Sequence, residues 1–201
     1  MIRSDIIHYG GWEQCLRICN DELELVITLD VGPRIIRCAP GGGENLFVEY
    51  ADQTGKTGDS IYHSYGGHRL WIAPEEKPKT YFPDNHPVEW SRDGEWFHFR
   101  PPTESSGFRK EINVWLDPDR ARVRVLHRIT NVSPSAQTAS VWALSVMAAG
   151  GTAILPHEPY QPHPDRLLPV RPLVFWSYTD MTDTRWTWGK RFLRLQQADR
   201  K

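Results

Sequence analysis

Residues Glu22–Asp30 read ELELVITLD, and this stretch decides the fold class of the chain. Leu23, Leu25 and Ile27 alternate with other residues, which is typical of a β-strand with one packed face and one face in water. The same alternation recurs along the chain of 201 residues, whereas helical periodicity is almost absent. We therefore predict an all-β protein, a large antiparallel β-sandwich that occupies residues 1–201 as a single domain.

Turn sequences between apolar runs place the other strands. Asp93-Gly94 is a strong hairpin signal, and Asp117-Pro118-Asp119 marks a second hairpin. We expect Ser140–Met147 and Thr152–Leu155 to pair with each other around a Gly-rich turn. The full set of further predicted strands is Arg34–Ala39, Asn45–Tyr50, Val88–Ser91, Glu95–Arg100, Phe108–Leu116, Arg122–Asn131, Ser140–Met147, Thr152–Leu155, Leu173–Tyr178 and Arg191–Gln196.

The sequence also predicts which residues share a face in one strand and which strand lies at an edge. In RVRVLHRITN, alternation places Val123, Val125 and His127 on one face of the strand. The last predicted strand is followed only by a charged tail that ends at Lys201, so we expect it to be an unpaired edge. Either the tail blunts this edge, or the chain is a shortened version of a longer protein.

Composition and charge exclude several classes of function. The net charge is −1 and the pI about 6.7, which gives no support for a nucleic-acid or membrane partner. Three cysteines, Cys15, Cys19 and Cys38, cannot all pair within the chain, and their spacing does not predict a zinc site. We expect them to be small buried hydrophobic residues in a cytoplasmic protein that has no metal and no cofactor.

Gly66–Trp90, GGHRLWIAPEEKPKTYFPDNHPVEW, is the richest stretch in groups that bind or react. It combines histidine, arginine, glutamate and aromatic rings with Gly and Pro, which keep the backbone irregular. Such residues are found on loops that a rigid scaffold positions. We predict that this stretch forms one wall of a polar, aromatic-lined pocket for a small-molecule carbohydrate.

Acid–base chemistry on a sugar needs groups whose pKa can be tuned toward neutrality, and His and Glu suit this role. His68 is the first candidate, Glu75 is a candidate base, and His157 is a second candidate acid. His68 and Arg69 are adjacent, so in a strand they point to opposite faces and at most one enters the pocket directly. His63 lies near His68 without a third ligand, which argues against a metal site.

Sugar binding needs planar hydrogen-bonding groups for hydroxyls and aromatic faces for C–H surfaces. The candidate binding residues share these properties and are Arg69, Trp71, Tyr81, His86 and Arg185. Trp71 differs in strand parity from His68, so a core position is the alternative for it. For Arg185, the alternative is an ion pair with Asp180 or Asp183.

Four stretches together resemble the galactose mutarotase-like superfamily, whose best-known members are the aldose 1-epimerases. They are LDVGPRIIRCAPGGGENLF (Leu29–Phe47), GGHRLWIAPE (Gly66–Glu75), HRITNVSPSAQTASVWALSVM (His127–Met147) and GGTAILP (Gly150–Pro156). The last stretch is similar to a bacterial branch of the superfamily. The resemblance implies a β-sandwich with a carbohydrate pocket on a concave sheet, in which Gly66–Glu75 delivers a basic residue to the substrate.

The same resemblance implies two departures from the catalytic members. They carry a His in the strand similar to Trp142–Met147, where this chain has WALSVM. They also use a late carboxylate as general base, on strands beyond Lys201, so the chain is expected to lack a C-terminal part. The epimerase activity is therefore expected to be weak or lost.

Three functions stay open from the sequence. The first is a carbohydrate-binding protein that recognises a monosaccharide or a sugar derivative. The second is an active aldose 1-epimerase, an isomerase that uses His68 or His157 as acid and Glu75 or another carboxylate as base. The third is a non-enzymatic β-sandwich module that pairs through its exposed edge strand, for example as a homodimer.

Overall fold

The computed structural model describes residues 1–169 and 173–198 of the chain. Contacts between Cα atoms divide it into two compact units, Met1–Ala148 and Ala149–Lys201, each of which is described by itself. The described residues form β-strands and no helix, so the all-β prediction is confirmed. The single domain over residues 1–201 stays a prediction.

The first unit contains a six-stranded antiparallel sheet in the order β1-β2-β3-β4-β5-β10. Its strands are β1 (Arg3–Tyr9), β2 (Trp12–Cys19), β3 (Leu23–Thr28), β4 (Ile35–Pro40), β5 (His68–Ala73) and β10 (Ser140–Ser145). The pairing of β5 with β10 is non-local and sets Trp142 opposite Trp71 and Ser145 opposite His68.

The second sheet of this unit is a meander in the order β6-β7-β8-β9. Its strands are β6 (Glu89–Asp93), β7 (Trp96–Arg100), β8 (Phe108–Leu116) and β9 (Val123–Asn131). Both predicted hairpins are confirmed, because β6 pairs with β7 and β8 pairs with β9 in antiparallel register.

One apolar core joins the two sheets, so they pack face to face as a sandwich. Burial of this apolar area is the main force that holds the sheets together. The buried side chains that meet there are Leu16, Ile18, Leu23, Leu25, Ile27, Ile35 and Leu70 from the first sheet and Phe97, Phe99, Ile112, Val114 and Leu116 from the second. Val123 and Val125 of β9 pack against the same core, as alternation in that strand predicts.

The other face of the first sheet is also covered, which corrects the prediction of a wet face on β3. Val26 and Thr28 are fully buried there. Val26 belongs to a second cluster with Trp12, Ile36 and Tyr65. The chain between β4 and β5 supplies Tyr65 to this cover, and period-two alternation in one strand carries no information about such a distant segment.

The second unit contains a three-stranded antiparallel sheet in the order β11-β13-β12. Its strands are β11 (Thr152–Pro156), β12 (Trp186–Trp188) and β13 (Phe192–Gln196). The expectation that the last strand is an unpaired edge is wrong, because β13 has a partner on both sides. The tail at 199–201 lies outside the described residues.

Other strand predictions are also corrected. Asn45–Tyr50 forms only isolated bridges, from Phe47 to Met147 and from Glu49 to Gly66. β10 and β11 do not pair with each other, since β10 pairs with β5 and β11 with β13. Leu173–Tyr178 forms no strand. These sequences have β propensity, but a strand also needs a neighbour to pair with.

Two further features concern the cysteine residues and membrane-spanning helices. Cys15, Cys19 and Cys38 all carry free thiols, and Cys15 is fully buried in β2. Among the described residues, none belongs to a helix that is long and apolar enough to span a bilayer.

Candidate functional site

Strand β5 begins directly after a strained turn, which fixes where its side chains point. Tyr65, Gly66 and Gly67 all have positive φ, at 56°, 106° and 64°. A Cβ on Gly67 would lie 2.4 Å from the carbonyl oxygen of Ile35, so only glycine fits beside β4 at this position. The prediction that the backbone of Gly66–Trp90 is irregular is wrong for the part of this stretch that forms β5.

The two faces of β5 carry different chemistry. His68 points into the sandwich, where its Nε2 atom lies 2.7 Å from Nε2 of His127 on β9. Arg69 and Trp71 point away from the sandwich and stack on each other, with the guanidinium carbon 4.5 Å from the indole centroid. The prediction that His68 and Arg69 take opposite faces is confirmed.

Trp71 is buried, with 8% of the residue exposed, which is the core position predicted as the alternative for it, and three aromatic rings surround it on the outer face. Its centroid lies 5.5 Å from the ring of Tyr62, 5.1 Å from Tyr81 and 5.4 Å from Trp142, each in an edge-to-face arrangement. Such pairs add stability beyond the area they bury. Trp142 reaches the group from β10, where it is the cross-strand partner of Trp71. We name Tyr62, Arg69, Trp71, Glu75, Tyr81 and Trp142 the arginine–aromatic cluster.

Arg69 is the most unusual member of this cluster. Its residue is only 7% exposed, and its Nη1 atom donates a hydrogen bond of 3.1 Å to Oγ of Ser64. Its Nε atom is buried and has no hydrogen-bond partner in the described part of the chain. Burial lowers the pKa of the guanidinium, and so does the positive charge of Arg34, while Tyr62 and Asp84 partly oppose the fall. The cluster therefore contains a buried cation with unused donor capacity.

Arg34 lies on the same face and differs from Arg69 in having a carboxylate partner, although its Nε atom is also buried without a hydrogen-bond partner among the described residues. Its Nη1 and Nη2 atoms donate to the two carboxylate oxygens of Asp84 at 2.5 and 2.9 Å, which is a bidentate ion pair. Burial alone would raise the pKa of Asp84, but the Arg34 guanidinium outweighs it and holds that pKa below its ordinary value. The pair is thus charge-balanced, unlike Arg69.

Tyr62 adds a second buried donor to the cluster. Its hydroxyl group has no hydrogen-bond partner of normal geometry among the described residues. Burial raises the pKa of this hydroxyl, and the positive charges of Arg34 and Arg69 partly oppose the rise. The hydroxyl is therefore protonated at neutral pH and can donate to a ligand.

Glu75 and Tyr81 form the exposed end of the cluster. The Tyr81 hydroxyl donates a short hydrogen bond to the Glu75 carboxylate, and the Lys77 ammonium lies 5.7 Å from the Tyr81 ring centroid. Thr80 anchors this loop, because its hydroxyl donates to the carbonyl of Ile72 and accepts from the backbone N–H of Glu76. The structure thus brings Arg69, Trp71, Glu75 and Tyr81 into one neighbourhood.

His68 belongs to a second, smaller group inside the sandwich. Its Nδ1 atom lies 2.8 Å from Oγ of Ser145, and its Nε2 atom faces His127. Burial, and then the neighbouring His127, lower the pKa of His68 to about 4. Burial also lowers the pKa of His127. Both imidazoles are therefore neutral at pH 7, and one Nε2–H donates to the other ring.

The remaining predicted residues lie elsewhere. His86 is exposed beside Asn85, in a surface groove that includes Trp12 and Asp30. His157 and Arg185 belong to the second unit. Arg185 forms an ion pair with Asp183 at 2.5 Å, which was the alternative to a role in binding.

Sequence reasoning missed Tyr62, Trp142, His127 and Ser145 as members of these two groups. For His127, its shared face with Val123 and Val125 was a sufficient signal that it enters the sandwich. For Trp142 and Ser145 no local signal exists, because their neighbours come from the non-local pairing of β10 with β5. The described residues contain no group of three His, Cys, Asp or Glu side chains placed to hold a metal ion.

No protein-family model, curated protein or solved structure matches this chain in comparisons with known proteins. The resemblance to the galactose mutarotase-like superfamily therefore stays a prediction. The class that the fold itself defines is an all-β protein whose first unit is an antiparallel sandwich, with the arginine–aromatic cluster on the outer face of its larger sheet.

Proposed function

We propose that this protein binds a carbohydrate at the arginine–aromatic cluster. The observation that carries the proposal is the stack of Arg69 on Trp71, 4.5 Å from ring centroid to guanidinium carbon, within a group of four rings. Aromatic rings pack against the C–H surface of a sugar, while planar charged groups bind its hydroxyls. A monosaccharide or sugar derivative uses both kinds of contact at once.

The cluster combines donors and an acceptor in the way that a polyhydroxylated ligand requires. Arg69 and Tyr62 offer buried donors without partners among the described residues. Glu75 offers an exposed carboxylate, already oriented by the Tyr81 hydroxyl. Each sugar hydroxyl can both donate and accept, so it can bind at either end of the cluster.

The arrangement favours binding over epimerisation. An epimerase needs an acid and a base on the same sugar, yet His68 enters the sandwich while Glu75 lies beside the outer face of β5. Weak or absent epimerase activity, which polarimetry of a freshly dissolved aldose measures, is therefore part of the proposal.

The test is titration of the full chain with a panel of monosaccharides, in which tryptophan fluorescence reports binding. We expect a saturable change, and we expect Trp142→Leu to weaken the affinity by about fivefold, because a stacking contact is worth roughly 1 kcal/mol. Trp90→Leu is the matched control, since Trp90 is an exposed tryptophan on β6 of the other sheet. A panel without any saturable response contradicts the proposal.

Edge pairing is the second candidate function. β10 ends the first sheet and β9 ends the second among the described strands, and each carries a half-exposed apolar side chain, Val141 and Leu126. Unpaired strand edges readily pair with another chain, including a second copy. Sedimentation velocity over a range of concentrations tests this function, and a monomer at every concentration contradicts it.

A further inference from the structure

Arg69 differs from the other buried cations of the first unit because it forms no ion pair with any described residue. Arg34 is paired with Asp84 at 2.5 Å, and Lys110 is paired with Glu104 at 2.5 Å. No carboxylate of the described residues lies within ion-pair distance of Arg69, although its side chain is almost completely buried. Its hydrogen bond to Ser64 is to a neutral hydroxyl.

An unpaired buried charge is costly, because water no longer solvates it and no counter-charge replaces the water. For Arg69, burial is the main influence and lowers the pKa of the guanidinium; the positive charge of Arg34 acts in the same direction, while Tyr62, Asp84 and Tyr50 partly oppose the fall. Arginine almost never loses its proton, so it stays charged in the cluster. A bound anion would remove this imbalance.

Arg69 and its neighbour Tyr62 carry the kind of donors that bind an anion. A guanidinium presents a planar fork of N–H groups that matches a carboxylate or a phosphate. Nε of Arg69 is buried and unpartnered in the described part of the chain, and so is the hydroxyl of Tyr62, whose ring contacts Trp71. The two unpartnered donors therefore belong to one cluster.

The only carboxylate in the cluster is at its exposed end. Glu75 is exposed and accepts a hydrogen bond from Tyr81, whereas Arg69 is buried against Trp71. A neutral sugar would satisfy Glu75 and the rings but would leave the charge of Arg69 unbalanced. A ligand with hydroxyls at one end and an anionic group at the other satisfies the whole cluster.

We propose that the carbohydrate is anionic, a sugar with a carboxylate or phosphate group that Arg69 binds. This inference rests on the proposed function, since it names the class of ligand for the same cluster. The carboxylate of a uronate and the phosphate of a sugar phosphate share the chemistry that the guanidinium recognises. Their affinities show which of the two anionic groups is preferred.

Isothermal titration calorimetry on the full chain at fixed ionic strength tests the proposal with matched ligands. The neutral sugars are D-galactose and D-glucose, and the anionic ones are D-galacturonate, D-glucuronate and glucose 6-phosphate. We expect at least one anionic sugar to bind about tenfold to a hundredfold more tightly than its neutral parent, because charge-assisted bidentate bonds are strong. Comparison of the uronates with the phosphate identifies the anionic group.

Variants assign the preference to Arg69. Arg69→Gln should abolish the preference for the anionic sugar while weaker binding of the neutral parent persists, and Arg69→Lys should retain part of it because the charge remains without the fork. Arg92→Gln is the control, since Arg92 is an exposed arginine on β6 that donates to the carbonyl of Gly94. Circular dichroism verifies that each variant is folded.

The outcomes separate the two proposals. Equal affinity for neutral and anionic sugars overturns the anionic ligand but leaves carbohydrate binding intact. A preference that survives in Arg69→Gln overturns the assignment to Arg69. Binding of acetate or inorganic phosphate as tightly as the sugars overturns recognition of a sugar anion. Absence of binding to every sugar contradicts the proposed function as well.

Discussion

The two faces of strand β5 carry two different kinds of buried polar group. On the inner face, His68 is neutral and hydrogen-bonded on both ring nitrogens, to His127 and to Ser145. On the outer face, Arg69 is charged and has an unpartnered Nε among the described residues. On the inner face the polar side chains satisfy each other's hydrogen bonds. On the outer face Arg69 keeps a donor that no described residue uses.

The largest expected loss of stability follows from breaking the ion pair between Arg34 and Asp84, which lies on the same face as Arg69. Asp84→Ala leaves the fully buried Arg34 without its bidentate partner, and breaking such a pair costs about 3–5 kcal/mol. Urea denaturation measures the loss of unfolding free energy. The control is Asp21→Ala, whose pair with Arg3 is exposed and should contribute about 1 kcal/mol or less. Equal losses for both variants would contradict the distinction between buried and exposed pairs.

The inner face predicts a dependence of stability on pH. The pKa of His68 lies at about 4 in the folded chain, below its ordinary value of 6.5, so the unfolded chain takes up a proton more readily. The stabilising contribution is therefore fully present above pH 6.5 and is lost as the pH falls toward 4. The loss should be on the order of 2–3 kcal/mol.

Urea denaturation of the wild type and of His68→Gln between pH 7 and about pH 4 measures this term. The variant should show a smaller loss of stability over that range. His98→Gln is the matched control, because His98 is half-buried in the second sheet and bonds to Asn113 instead of another histidine. If His68→Gln and the wild type lose stability in parallel, the buried neutral pair is not the source of the acid sensitivity.

Removal of the positive charge of Arg69 should increase the free energy of unfolding, in contrast to Asp84→Ala. Arg69→Met eliminates a buried charge without a counter-charge and keeps an unbranched apolar side chain over Trp71. We expect the free energy of unfolding to rise by about 1 kcal/mol while the affinity for the sugar falls. Thermal denaturation and calorimetry measure the two changes on the same sample. A variant that loses stability would show that Arg69 serves the fold.

The smallest effect concerns the hydroxyl that orients His68. Ser145→Ala removes the partner of its Nδ1 atom at 2.8 Å and should cost about 0.5–1.5 kcal/mol, the typical value of one hydrogen bond. Ser140→Ala, on the same strand, is the control. Sugar binding on the outer face should be unchanged in Ser145→Ala, and a large change in affinity would connect the two faces.

Local features of the fold were predictable from the sequence, and non-local ones were not. The hairpins around Asp93-Gly94 and Asp117-Pro118-Asp119 depend on neighbouring residues, and both are present. The pairing of β5 with β10 brings together His68 and Ser145, which lie 77 residues apart. Such a pairing depends on the whole sheet, so no pattern in either strand reveals it.

The same limit applies to the candidate site. Arg69, Trp71, Glu75 and Tyr81 lie within one short stretch, and their proximity follows from the sequence. Tyr62 and Trp142 complete the cluster from a loop and from a distant strand. His68 does not share a pocket with Glu75 as expected, because it lies on the inner face of β5, whereas Glu75 follows β5 in the chain and bonds to Tyr81.

The most direct test of the account is nuclear magnetic resonance of the full chain during titration with a uronate. The indole N–H signals of Trp71 and Trp142 and the guanidinium Nε–H signal of Arg69 should shift in proportion to saturation, while the imidazole signals of His68 and His127 should not. Shifts that are confined to the two histidines, with no change at Arg69, would contradict a binding site on the outer face.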